Sequence, residues 1–334
     1  MGRYAARRLL QALLTLLLVI GLLHVLTTFT VQLNDSPARA FFGDRSPTAS
    51  QLAAVEARYN LDDPCYDQVG NPCVGPFVER LGQYARGDFG EDFRGRAVTE
   101  LVAVSAPNTL RLFAVVTITW LIMGLLLGSV AARYRGRAAD HSIRFTSILI
   151  DAFPVFVMLL VYKYVVAVPV GTWMRDRFGS DSFLGLLFKP SFDSSYPWTT
   201  VIIPGILLGA TGSAAFIRLV RASQLENYGA DHVRAAKAKG MSSKRLIIFH
   251  ILRNSSIPVA TAVGFVFAEA LSGAVITEGI MNIHGMGGLL WNSVRESVTP
   301  VVVGVVTLLA ILVLVVNIVV DFAYAALDPR IRYG

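Results

Sequence analysis

The chain has 334 residues, 54% of them hydrophobic and 16% charged, with a mean hydropathy of +0.56, which leaves too little polar surface to clothe a water-soluble globule. A net charge of +7 would suit a nucleic-acid binder, but in a membrane chain the same excess gathers on the cytoplasmic face, so no nucleic-acid partner is expected. Two cysteines, Cys65 and Cys73, exclude a Cys-rich metal centre or a disulfide-knit scaffold, and no metal site is expected.

Arg3, Arg7 and Arg8 precede an apolar run from Leu9 to Val31. Its 23 residues exceed the core of a cleaved signal peptide and can cross about 30 Å of hydrocarbon, so it reads as a retained first span. Further apolar stretches run from Pro107 to Ala132, Phe145 to Val170, Thr199 to Ile217, Ile257 to Ile276 and Pro300 to Phe322. Backbone polar groups cannot face lipid unpaired, and the alternating segments of a β-barrel are missing, so these are helices. The fold class is an all-α polytopic membrane protein of six transmembrane helices set in the lipid bilayer, with a small extracytoplasmic region after the first.

Six spans put both termini on one side. On that side, segments 1–8, 133–144, 218–253 and 323–334 hold 3, 4, 8 and 2 Lys or Arg, whereas the short opposite loops 171–198 and 280–299 hold 3 and 1. Positive charge marks the cytoplasm, so both termini are expected there. The division expected is 1–31 for the N-terminus and first span, 32–105 for the extracytoplasmic region, 106–322 for the transmembrane core including a cytoplasmic loop at 222–254, and 323–334 for the C-terminal tail. Cys65 and Cys73 fall in the extracytoplasmic region beside Pro64 and Pro72. The oxidising compartment favours a disulfide between them, with two free thiols as the alternative.

Within 222–254, Ala230 to Lys239 has strong helix formers, Gly240 sits where a left-handed residue ends a helix, and Ser242 or Ser243 can cap a second helix running to Ile251. Ala235, Ala236 and Ala238 leave room for another surface to approach, or for plain packing against neighbouring spans. The residues alone indicate a docking loop on the cytoplasmic surface.

The run from Ala230 to Ser242 (ADHVRAAKAKGMS), with His250 to Pro258 (HILRNSSIP), resembles the EAA-type loop of binding-protein-dependent ABC permeases, and most of all that of dipeptide and oligopeptide permeases. The likeness continues in order through Tyr4–Leu10 (YAARRLL), Leu61–Pro64 (LDDP), Gly87–Gly90 (GDFG), Pro107–Leu110 (PNTL), Gly273–Glu278 (GAVITE), Gly285–Leu290 (GMGGLL) and Leu327–Tyr333 (LDPRIRY). Three features depart from the pattern: Arg234 replaces the glutamate of the loop, Gln32–Pro37 replaces a Pro-Gly-Asp-Pro motif, and residues 65–76 look inserted. The resemblance implies a type I ABC importer permease of a bacterial inner membrane that forms half of a pathway for di- or oligopeptides. Other cargoes of that class are glutathione, nickel chelates or another small solute. It implies coupling to ATPase subunits through Arg234, Ala235, Ala236, Lys239, Gly240 and Met241. The partners implied are a homologous second permease, two ATPase subunits or a fused equivalent, an extracytoplasmic substrate-binding protein and the peptide itself. The chain has no G-x-x-x-x-G-K-[ST] loop, so ATP and Mg belong to the partner ATPases and this chain binds no cofactor.

Asp151, Lys163, Glu269, Glu278 and Asp321 lie within or at the ends of apolar runs, where charge must face protein or water. Glu269 and Glu278, nine residues apart on one helical face, are pathway candidates, or they pair between helices; Lys163 and Asp151 read as structural. Asn282, His284 and Gly285–Gly288 form a glycine-rich external turn. No catalytic residue is assigned, so the chain is expected not to be an enzyme. A serine protease built on Ser213 and His250 is opposed by their separation between a span and a loop, and an ion-coupled secondary transporter would have no use for the loop.

Overall fold

The structure is a computed structural model that describes residues 2–33, 37–42, 46–246, 249, 251, 255 and 273–327. Among the described residues regular structure is helical, and the chain divides into two compact units, residues 1–108 with 284–318 and residues 109–283 with 319–334.

The first unit begins with α1 (Gly2–Gln32), followed by a short 3-10 turn Pro37–Phe41 and α2 (Ala49–Tyr59). α2 starts at a capping box, in which Gln51 N–H donates to Thr48 Oγ1 and Thr48 N–H to Gln51 Oε1, and it ends at Asn60 with φ +50°. A second 3-10 turn, Pro64–Asp67, leads through the Cys65–Cys73 pair, whose sulfurs lie at bonding distance (2.13 Å), into α3 (Val74–Ala85). Val31, Phe41, Phe42, Val55, Leu61 and Tyr66 pack with Cys73 as a small core. The first residues of α4 (Val98–Arg133) and the first turns of a later helix close a second cluster around Val98, Val301 and Val305.

In the second unit, the rest of α4 is followed by α5 (Ala138–Ala152), then α6 (Val155–Val161), a π-helical turn Tyr162–Ala167 and α7 (Val168–Phe178), which make one span from Val155 to Phe178. The expected third span at Phe145–Val170 is therefore displaced. Pro154 keeps Phe153 extended (ψ 125°), so the helix breaks there, and Asp151 falls outside the span on an exposed turn of α5. After α8 (Phe183–Leu187) come α9 (Pro197–Thr211) and α10 (Ser213–Tyr228), bent by 56° at Gly212. The fourth apolar run therefore extends as helix to Tyr228, and residues 222–228 belong to α10 rather than to a loop. Next come α11 (Asp231–Ala238) and α12 (Ser243–Leu246); α13 covers residues 273–281. α14 (Met286–Arg295) and α15 (Thr299–Leu327) are the last helices among the described residues, the larger part of α15 returning to the first unit. Among the described residues, four helices are long and apolar enough to span, and the α9–α10 pair makes five. Most of the expected span at 257–276 lies outside the described residues.

Two small-xxx-small pairs fix the second unit. A Cβ on Gly205 or Gly209 of α9 would stand 2.6 Å from Val115 Cγ1 or 2.8 Å from the Val116 carbonyl of α4, and one on Gly124 or Gly128 of α4 would collide with Phe216 or Val220 of α10. Lipid offers no hydrophobic drive between helices, so close backbone approach supplies dispersion contact instead. At the bend, Trp120 Nε1–H donates to the Gly212 carbonyl (2.9 Å) while its ring stacks on Phe216.

Candidate functional site

Two residues, Gly229 and Ala230, join α10 to α11, and their N–H groups bond back to Glu226 and Asn227 (3.2 and 3.1 Å). α11 is eight residues long and starts with Asp231, whose charge suits the positive end of the helix dipole; Arg234 reaches it at 3.5 Å, both side chains exposed. The C-terminus is a complete Schellman motif: Gly240 N–H donates to Lys237 (3.0 Å), Met241 N–H to Ala236 (3.3 Å), and Gly240 takes φ +77°. α12 then starts after Ser242, whose carbonyl accepts from Leu246 N–H (2.9 Å).

The inner face of this hairpin has its own core. Val233 and Ala236 are buried against Leu246 and Ile251, with Tyr228 and Met241 at the margin. The six residues singled out from the sequence therefore do not share one surface. Ala236 points inward and Met241 is half-buried, whereas Arg234, Ala235, Lys239 and Gly240 are exposed. With Ala238 the exposed set forms a small-residue surface ringed by positive charge, suited to close contact with a groove that carries acidic or carbonyl oxygens.

Sequence reasoning missed the strongest ion pair near this segment. Arg221 of α10 donates from Nε and Nη2 to the two carboxylate oxygens of Asp140 on α5, each at 2.7 Å, and Gly136 N–H adds a third bond at 2.9 Å. Asp140 is 1% exposed. The guanidinium hydrogen bonds hold its carboxyl down to about 2 against the opposing cost of burial. The available signal was Asp140 itself, the one acidic residue among four arginines in 133–144.

Elsewhere in the second unit Glu278 is fully buried on α13, and Lys163 Nζ–H donates to the Ile280 carbonyl at the end of that helix (2.6 Å), where a cation complements the helix dipole. Glu269 and His250 lie outside the described residues. Ser213 is buried and donates to the Ala210 carbonyl (2.8 Å). Asn282 is left-handed (φ +53°). Gly285 caps α14, so Gly287 and Gly288 stand in its buried first turn rather than in an open loop.

Residues 124–333 match the model of the family described as binding-protein-dependent transport system inner membrane component. The chain is 34% identical over 266 residues to the dipeptide transport system permease protein of Haemophilus influenzae, covering 76% of this chain and 79% of that one. It is 32% identical over 278 residues to the oligopeptide transport system permease protein of Bacillus subtilis, covering 83% of each. To the glutathione transport system permease protein of Escherichia coli it is 31% identical over 335 residues, covering 100% of each.

Proposed function

The chain belongs to the family of inner membrane components of binding-protein-dependent transport systems, and from that premise we propose that it is the permease subunit of an ATP-driven importer of di- or oligopeptides. It is a multi-pass membrane protein, and on this reading both termini face the cytoplasm. The observation that carries the coupling role is α11: a short helix joined to α10 by two hydrogen-bonded residues and turned back sharply at Gly240. A displacement applied to such a helix passes into the membrane span instead of being lost in a slack loop.

ATP and Mg are held by two partner ATPase subunits or a fused equivalent, and this chain supplies no hydrolytic group. A homologous second permease completes the pathway, and an extracytoplasmic binding protein delivers the peptide. Full-length similarity to a glutathione permease supports a second reading in which the cargo is that modified tripeptide.

Purification of the intact complex and reconstitution into proteoliposomes tests both. Peptide-stimulated ATP hydrolysis with uptake that persists in uncouplers supports the importer, and competition between glutathione and peptides of two to five residues orders the cargoes. Uptake by the isolated chain without ATP, collapsing with the ion gradient, would replace the importer by a secondary transporter.

A further inference from the structure

α3 is positioned against α1 by hydrogen bonds that also measure its depth. His24 Nε2 lies 3.1 Å from both the Pro72 and Cys73 carbonyls; carbonyls only accept, so Nε2 carries the proton and donates. Phe77 packs on the same imidazole with ring centroids 5.1 Å apart, and Arg80 Nη1–H donates to Thr27 Oγ1 (3.2 Å). Ile20, His24, Thr28 and Val31 are accordingly the buried stripe of α1, while Leu18, Leu22, Val25, Leu26 and Phe29 are exposed.

Starting from Leu9, just past Arg7 and Arg8, about 30 Å of hydrocarbon takes about 20 helical residues and ends near Thr28. Cys73, Phe77 and Arg80 contact α1 between His24 and Thr27, so α3 stands at the far boundary of the hydrocarbon and not above it. The sequence of α3 fits that level. At 100° per residue, Val74, Gly75, Val78, Leu81, Gly82 and Ala85 occupy one arc of about 120° with no charge in it. Val74 and Val78 are each 61% exposed at its centre. Phe77, Arg80 and Tyr84 face the protein, and Glu79 lies at the flank of the apolar arc.

Irregular backbone at membrane depth is tolerated only where protein groups satisfy it. His24 takes two carbonyls of the turn before α3. Gln32 takes three more backbone groups: its amide donates to the carbonyls of Cys65 (3.2 Å) and Asn71 (2.8 Å), and its oxygen accepts from Gly70 N–H (3.0 Å). We propose that α3 is an amphipathic interfacial helix whose Val74–Val78 face lies against the lipid of the outer leaflet, with the Cys65–Cys73 turn held down beside α1 by His24 and Gln32. The inference rests on α1 spanning the bilayer and is independent of the cargo.

The test uses the full-length chain in lipid nanodiscs. Spin labels at Val74→Cys and Val78→Cys are compared with Leu22→Cys on the exposed face of α1 and with Gln68→Cys on the exposed turn. The expected result is preferential collision with dissolved oxygen over an aqueous nickel chelate at 74 and 78, the same sense as at 22, with the opposite sense at 68. Preference for the chelate at 74 and 78 would place α3 in water, and protection from both reagents would mean a protein surface covers it; either overturns the proposal. On the unmodified chain, a phospholipid with a photoreactive diazirine close to its glycerol should label peptide 74–85, and absence of that label where α1 is labelled would also overturn it.

Discussion

Replacing Gly240 by Asn, Ala and Val separates the need for a left-handed turn from the need for space. Gly240 has φ +77°, and a Cβ there would meet nothing within 4 Å in this chain, so the internal cost is backbone strain alone. That cost is about 1–2 kcal/mol for Ala, less for Asn, whose short polar side chain tolerates this region, and more for β-branched Val. α11 has eight residues, fewer than the roughly 12–15 at which an isolated helix holds in water. Strain of this size at the Schellman cap is thus a factor of roughly 5–30 in the population of the intact turn. In proteoliposomes carrying the complete transporter, peptide taken up per ATP hydrolysed should fall in the order Gly, Asn, Ala, Val, with membrane insertion unchanged. Wild-type ratios for both Ala and Val would refute the claim that the turn matters. A loss with Asn as large as with Val would show that side-chain bulk against a partner, and not φ, decides.

The two adjacent alanines should respond in opposite ways. Ala235→Arg, on the exposed face, should leave thermal stability intact and abolish ATPase association in a pull-down, whereas Ala236→Arg should destabilise the hairpin itself because Ala236 packs against Leu246 and Ile251. Asp140→Asn should cost about 2 kcal/mol at neutral pH, from a carboxyl held at about 2 instead of 3.8. The folded value is the lower one, so this stability is complete above about pH 4 and vanishes as pH falls through 2; unfolding followed by fluorescence in detergent should show mutant and wild type converging in that window. Gly209→Ala would place a Cβ 2.8 Å from the Val116 carbonyl and should destabilise by about 1–3 kcal/mol of overpacking, read as a lower melting temperature. Gly21→Ala, with nothing within 4 Å, should be neutral or mildly stabilising.

Spanning helices were legible because about 20 apolar residues in sequence have few other fates, yet their ends were not. Composition does not distinguish Phe145–Ala152 from the residues after Pro154, and only the missing N–H and the restricted residue before proline place the break. The α11 turn was legible because Gly240 follows an Ala-, Lys- and Arg-rich run from Arg234 to Lys239, and a left-handed cap is one of the few backbone needs that a sequence advertises. Which alanine faces inward was not, since that depends on the orientation of an eight-residue helix, set by Val233 finding Leu246 and Ile251. Asp140 and Arg221 are 81 residues apart. No local pattern links them, and counting Arg221 with the loop charges concealed that it is already neutralised.

These contacts also say where a push on α11 would go. Asn227 Nδ2–H donates to the Ser223 carbonyl (2.9 Å) and to Ser255 Oγ (3.2 Å), and the two linking residues bond back into α10, so α10 and α11 have little freedom to move separately. Arg221 ties α10 to α5 through a buried bidentate pair, which is costly to break once desolvated, and Phe216 and Val220 lock α10 onto Gly124 and Gly128 of α4. The weak point of the path is Gly212, where the chain already bends by 56° between α9 and α10. A displacement of α11 would therefore swing α10 about Gly212 as a lever and press on both neighbours tied to it, α4 and α5. Cutting the Asp140–Arg221 tie should then leave ATP hydrolysis running while α5 no longer follows α10, read as less peptide taken up per ATP hydrolysed.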